Sequence, residues 1–281
     1  MRKAWVGILL IFVAFSAFPA VQYDFTQHTQ SDIEQIRPSN LSGRAIIDGD
    51  RSRVDFVTGD LYPPGTYCIS TNGSRTLTFV DPIMKSYTEV NAASVAAAVG
   101  QANITITNLK SDVQKLADHP FLAGLSTEHY RLTINFDVTV EFHSMPLRQS
   151  VQTEIDKWTT IEYADVADTF LAASPIRTGN QQIDDVIDLE TNKVKGFPLK
   201  QVVKITTTNL QGTAPGSKLP LSAVRTQSRE MIVTSINRLP SADPNAFKLP
   251  ASYRRNDTQA LAEKATQTRV TVLSFDENKS Q

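Results

Sequence analysis

The stretch HYRLTINFDVTVEFH, residues 129–143, constrains the fold of this chain more than any other. Tyr130, Leu132, Ile134, Phe136, Val138, Val140 and Phe142 hold every even position. His129, Arg131, Thr133, Asn135, Asp137, Thr139, Glu141 and His143 hold every odd one. Successive side chains of a strand point to opposite faces, so this alternation predicts one long strand with an apolar face and a wet face. At about 3.3 Å per residue its apolar row runs roughly 40 Å, which requires neighbours that twist with it.

Those neighbours are legible. RAIIDGDRSRVDFV, 44–57, predicts a hairpin around Asp48-Gly49-Asp50, with Val54 and Phe56 on one side and Arg53 and Asp55 on the other. NGSRTLTFVDPIMKSYTEV, 72–90, predicts a second hairpin turning at Asp81-Pro82, with Leu77 and Phe79 on its apolar side. Segments 148–158, with Val151 and Ile155 facing inward, 197–209 and 228–237 predict further strands, as do 22–36 and 103–114. Helical spacing is rarer. It marks 92–100, capped by Asn91 and ended by Gly100, 160–174 before Pro175, and 180–194 with Ile183, Val186 and Ile187. LYPPGTY, 61–67, and QGTAPGSKLP, 211–220, predict exposed connections, and 251–281 a polar tail with possible order only at 270–275. The expected fold is mainly β: one large curved antiparallel sheet, an incomplete barrel, wet outside, with two or three short helices over its apolar side.

The first 20 residues run from Arg2 and Lys3 through an uncharged apolar stretch to small residues, the plan of a signal peptide cut between Ser16 and Ala20. An uncleaved anchor over Ala4–Ala20 is the alternative, interrupted by Pro19. The expected organisation is a signal peptide over 1–20, a single domain over 21–255 and a polar tail over 256–281, in a periplasmic or secreted protein. No later segment is apolar enough for a stable span. A formal charge of −1 in 281 residues excludes the concentrated basic surface of a nucleic-acid binder. Cys68 is the single cysteine, so no internal disulfide forms and stability must come from an apolar core; Cys68 itself reads as buried.

The chain holds no HExxH, no GxSxG, no cysteine cluster and no phosphate-binding glycine loop. His129 and His143, on one wet face, stand over 40 Å apart at about 3.3 Å per residue and read as solvated. Asp184, Asp185 and Asp188 read as the exposed edge of a helix, and His119 as a turn residue. No catalytic residue, metal ligand or cofactor is assigned. A hydrolase would require His119, His129 or His143 to meet an acid and a nucleophile in space.

The Gly73–Tyr87 hairpin with its Asp-Pro, Lys and Tyr, the later Gly196-Phe197-Pro198 and the final Phe247-Lys248-Leu249-Pro250 occur in an order that resembles the LolA/LolB-like outer-membrane lipoprotein carrier superfamily, above all its uncharacterised exported domains. The resemblance covers about residues 22–255. It implies an incomplete barrel with a helical lid, an apolar concave face that accepts acyl chains, and an early-strand arginine, Arg44 or Arg53, that fastens the lid. The chain is longer than a typical carrier, and its lone cysteine lies too deep to be a lipid anchor.

The expectation is therefore an envelope protein that shelters a lipid or lipoprotein acyl chain. Its wall would comprise Phe56, Leu77, Phe79, Tyr130, Leu132, Ile134, Phe136, Val138, Val140 and Phe142. The alternative is a scaffold that binds an envelope protein partner and fills its core with its own side chains. A void of about 300 Å³ or more favours the first and a filled core the second.

Overall fold

A computed structural model describes residues 19–32, 38–60, 62–71, 73, 76–91, 103–142, 145–166, 181–211 and 224–256. The first 18 residues, the expected helix at 92–100, residues 167–174 of another, His143 and the 270–275 segment lie outside them.

Each long alternating segment forms a strand. In chain order these are β1 (Ala20–Ser31), β2 (Ser39–Asp48), β3 (Arg51–Gly59), β4 (Tyr67–Ser70), β5 (Thr76–Asp81), β6 (Ser86–Asn91) and β7 (Asn103–Lys115). A small hairpin, β8 (Phe121–Leu122) and β9 (Leu125–Ser126), precedes β10 (Glu128–Phe142) and β11 (Met145–Thr160). The chain ends with β12 (Phe197–Gln211), β13 (Val224–Leu239) and β14 (Arg254–Arg255). Apart from the β8–β9 hairpin, the strands form one 12-stranded sheet ordered β14-β6-β5-β4-β3-β2-β1-β13-β12-β11-β10-β7. All neighbours are antiparallel except β14 on β6. Two meanders, β1–β6 and β7 with β10–β13, meet where β1 pairs with β13. No ladder joins β7 to β6 or β14 among the described residues, so the sheet is not closed into a barrel.

The main core lies on the inner face of the β1–β5 half and of β12 and β13. Val21, Tyr23 and Phe25 of β1 meet Ala45, Val54, Phe56, Phe197, Leu199 and Val233 in one cluster. Gly43 is required there, since a Cβ would stand 2.7 Å from the Phe25 ring and 3.0 Å from the Asp55 carbonyl oxygen. Gly196 sets the start of β12: its φ is +97°, and a Cβ would meet the Thr160 carbonyl oxygen at 2.9 Å. A second, smaller cluster joins Leu132, Ile134, Ile155 and Val203, the apolar faces of β10–β12 in register.

Among the described residues the helical expectation is met once. Gln181–Lys193 forms α1, which lies on the free edge strand β7, where the Gln182 side-chain oxygen accepts the Ile106 amide at 2.8 Å. Of the helix expected over 160–174, Thr160 is still strand and Ile161–Val166 is a 3-10 turn broken at Tyr163. Its Tyr163 and Val166 are drawn into the main core, so packing overrides the α-helical spacing.

The outer face is not uniformly wet. After β13 the chain runs across the outside of β1–β6, through a 3-10 turn at Pro244–Phe247. Phe247 packs on Ala20, while Leu249 and Tyr253 cover Tyr67, Ile69 and Val80. Residues 251–256 therefore belong to the sheet and not to a free tail.

Candidate ligand-binding site

Two connections and the end of the edge strand decide the geometry. The connections 59–67 and 81–86 lie at the same end of the meander, because β3 ends where β4 begins and β5 ends where β6 begins. Asp81 fixes the second of them: one carboxylate oxygen accepts the Ile83 and Met84 amides at 2.9 and 3.0 Å. The turn then presents Ile83 and Met84 outward, 78% and 64% exposed. The third piece is the segment after β14, in which the Asn256 amide donates to the Tyr87 carbonyl at 2.7 Å.

Between them lies a cavity of about 380 Å³. Phe56, Tyr62, Pro63, Tyr67, Phe79, Val80, Met84 and Tyr87 supply its apolar lining, and Thr66, Asp81, Ser86, Thr88 and Asn256 its polar lining. Tyr62 stacks on Phe56 at 4.2 Å and on Phe79 at 5.6 Å, with 12° between the ring planes in each pair. Burial pushes the Tyr62 hydroxyl pKa up, so it stays a neutral phenol. On the opposite wall the Asn256 side-chain nitrogen donates to Ser86 Oγ and Thr88 Oγ1, both at 3.3 Å.

The expected wall residues separate into two groups. Phe56 and Phe79 line the cavity and Leu77 packs against the main cluster beside them. Leu132, Ile134 and Phe136 instead belong to the second cluster, where Leu132 and Ile134 are 0% and 2% exposed. Val138 and Val140 are half-buried on the same strand, and for Phe142 only the backbone is described. Tyr130 departs from the row: its hydroxyl donates to Glu128 and its ring lies 5.8 Å from the Lys115 ammonium, so it serves the surface end of β10. Even spacing puts a residue on a face but does not say what covers it.

Arg44 finds its partner within the sheet, and Arg53 both within it and on the Pro244–Phe247 turn. Arg44 pairs with Asp24 at 2.7 Å and holds that carboxyl below its usual pKa. Arg53 pairs with Asp55 at 2.6 Å, lies over the Tyr67 ring and donates to the Ala246 carbonyl. A further arginine, Arg238, fastens the Ile161–Val166 turn. It grips both oxygens of Asp165 at 3.0 and 2.8 Å, donates to the Glu162 carbonyl and stacks on Tyr163.

His129 is buried and not solvated. Its two ring nitrogens lie 2.6 Å from Asp118 and 2.9 Å from Asp156, and its ring stacks on Trp158 at 4.0 Å. Arg131 also holds Asp156, through two bonds of 2.9 Å. Carboxylates therefore occupy both ring nitrogens of this histidine. The Nδ1 of His119 contacts the Thr127 carbonyl at 3.2 Å in its own turn. Cys68 is buried and its thiol is pushed up to about 12 by desolvation.

Tyr62, in a Pro/Gly-rich connection expected to be exposed, and Asn256, at the head of an expected tail, were not legible as site residues. The only sequence signal was the density of tyrosine around Pro63-Pro64-Gly65.

No family profile matches the chain, and no curated protein matches it. A solved LolA superfamily protein from Nitrosomonas europaea is similar over 82% of this chain and 90% of its own, at 7% identity and a TM-score of 0.30. A likeness of that size assigns no ligand. No described helix is long and apolar enough to cross a membrane.

Proposed function

We propose that this protein is an exported envelope protein that binds an apolar ligand, a lipid or the acyl chain of a lipoprotein, on the inner face of its open sheet. The observation that carries this is the cavity of about 380 Å³ at the end of the β3–β6 half, floored by Phe56 and Phe79. Its volume falls in the usual range for small-molecule sites, about 300–1,000 Å³. At about 0.8 kcal/mol per buried CH₂, each methylene that enters adds appreciably to affinity before ordering costs. Tyr62 occupies the place above the two phenylalanine rings and would move aside for a ligand or stack on it. Export rests on the basic and apolar plan of residues 1–20 and on the resemblance to exported carriers.

One observation favours the scaffold reading for the other half: Leu132 and Ile134 have no exposed surface left to offer a ligand. The β10 wall then acts as core while the β3–β6 end binds. Native mass spectrometry of the protein from its own envelope fraction, together with titration of the neutral dye N-phenyl-1-naphthylamine, tests the proposal. Co-purified lipid or a saturable gain in fluorescence is expected. A protein that arrives empty and leaves the dye dark is a scaffold.

A further inference from the structure

We infer that the cavity selects its ligand by head-group charge: it accepts a neutral amphiphile, an acyl ester or amide, and rejects the corresponding free fatty acid anion. This selection presupposes the apolar-ligand function proposed above and adds the chemical class of the ligand.

The polar wall carries the inference. No described residue lining the cavity is cationic, while Asp81 contributes a carboxylate to it. Lys85 and Arg254 stand nearby in the chain without lining it, and the other neighbouring cations are committed, Arg53 to Asp55 and Arg255 to Glu89 at 2.6 and 2.7 Å. A carboxylate bound over the apolar floor would therefore give up part of its hydration, find no cation among the described lining residues and lie beside Asp81.

A neutral head finds partners instead. Asn256 donates one side-chain nitrogen to both Ser86 and Thr88, which orients its side-chain oxygen; among the described residues of the wall, that oxygen is an acceptor for the N–H or O–H of a ligand. The Ser86 and Thr88 hydroxyl protons can be donated in turn to an ester or amide carbonyl. All three sit at the edge of the apolar floor, as an amphiphile with its chain over Phe56 and Phe79 requires. A site built of hydrogen-bonding groups discriminates strongly between heads that satisfy it and heads that do not.

The test is displacement of N-phenyl-1-naphthylamine from the full chain at pH 8 by dodecanoate and by 1-monododecanoylglycerol, two ligands with the same acyl chain. The monoglyceride is expected to displace the dye at a concentration about tenfold lower or less, since tenfold corresponds to only about 1.4 kcal/mol. Asp81→Asn retains a side-chain oxygen for both turn amides and removes the charge, so it should raise dodecanoate affinity and narrow the ratio. Asn256→Ala should narrow it from the other side by weakening the monoglyceride. Equal displacement by the two ligands, or a preference for dodecanoate, overturns the charge selection and leaves apolar binding standing. Absence of any dye signal removes both.

Discussion

The two halves of the sheet are built from the same alternation and end up in different physical situations. Strands β1–β6 shorten from twelve residues in β1 to four to six in β4–β6 and are covered on both faces: the main core inside, and Phe247, Leu249 and Tyr253 outside. Strands β7 and β10–β12 are long, carry a four-residue buried cluster inside, and on the outside hold a polar lattice in which Arg131 and the buried His129 both pair with the buried Asp156. The doubly covered half can afford a cavity at its end because its strands remain fixed from the outer side. In the singly covered half Leu132 and Ile134 of the apolar row are core, while Phe136, Val138 and Val140 stay half-buried.

The largest expected effect separates the halves directly. Phe25→Ala, on β1 in the main core, should lower the unfolding free energy by about 3–5 kcal/mol, while Leu132→Ala should cost about 2–5 kcal/mol. Denaturant unfolding gives the totals, and amide exchange gives their location. Loss of protection confined to β7 and β10–β12 in the Leu132 variant supports two separable halves; uniform loss would show one cooperative unit.

Next in size is the outer lattice. His129→Ala leaves the Asp156 carboxylate short of a partner in a 12% exposed side chain and should cost about 2 kcal/mol, with loosening of the Asp118 loop and the β8–β9 hairpin. An unchanged thermal midpoint would mean that Arg131 alone supports Asp156. Arg238→Met, which releases Asp165 and the Glu162 carbonyl on a half-exposed surface, should cost about 1 kcal/mol and raise exchange at 161–166 above all.

Acid should sharpen the contrast further. The pKa values of Asp118, Glu128 and Asp137 are depressed in the folded state, chiefly by hydrogen bonds from His129, Lys115 and Asn108 respectively. A depressed carboxyl contributes stability that is complete above its unfolded pKa of about 4 and is lost as pH falls through its lower folded value. These three groups belong to the singly covered half or its loop, whereas Asp24 on the β1–β2 ladder is the depressed carboxyl among the described residues of the other half. Protection factors in the singly covered half should therefore drop before those of β3–β5 as pH falls below about 4.

The smallest effect concerns Cys68. Its thiol pKa is raised to about 12, so it contributes stability at neutral pH that declines as pH climbs above the unfolded value of about 8.5. In the native protein at pH 8 it should resist a thiol reagent such as 5,5′-dithiobis(2-nitrobenzoic acid), and react once unfolded. Prompt native labelling would place the thiol at an opening of the main core.

The period-2 pattern of 129–143, the Asp-Gly and Asp-Pro turns and the glycine before Phe197 specify local geometry, so strands, hairpins and inward registers could be derived from the chain alone. The 3-10 turn at Ile161–Val166, the burial of His129 and the outer cover supplied by 244–256 depend on contacts between distant segments. The site shows the same division. Phe56 and Phe79 stand out by alternation, whereas Tyr62 and Asn256 acquire their positions only when β14 pairs with β6 and the 59–67 connection folds over β3. Alternation is written residue by residue in backbone stereochemistry; pairing, coverage and cavity volume arise from the balance of packing among segments far apart in sequence, which only the tertiary structure decides.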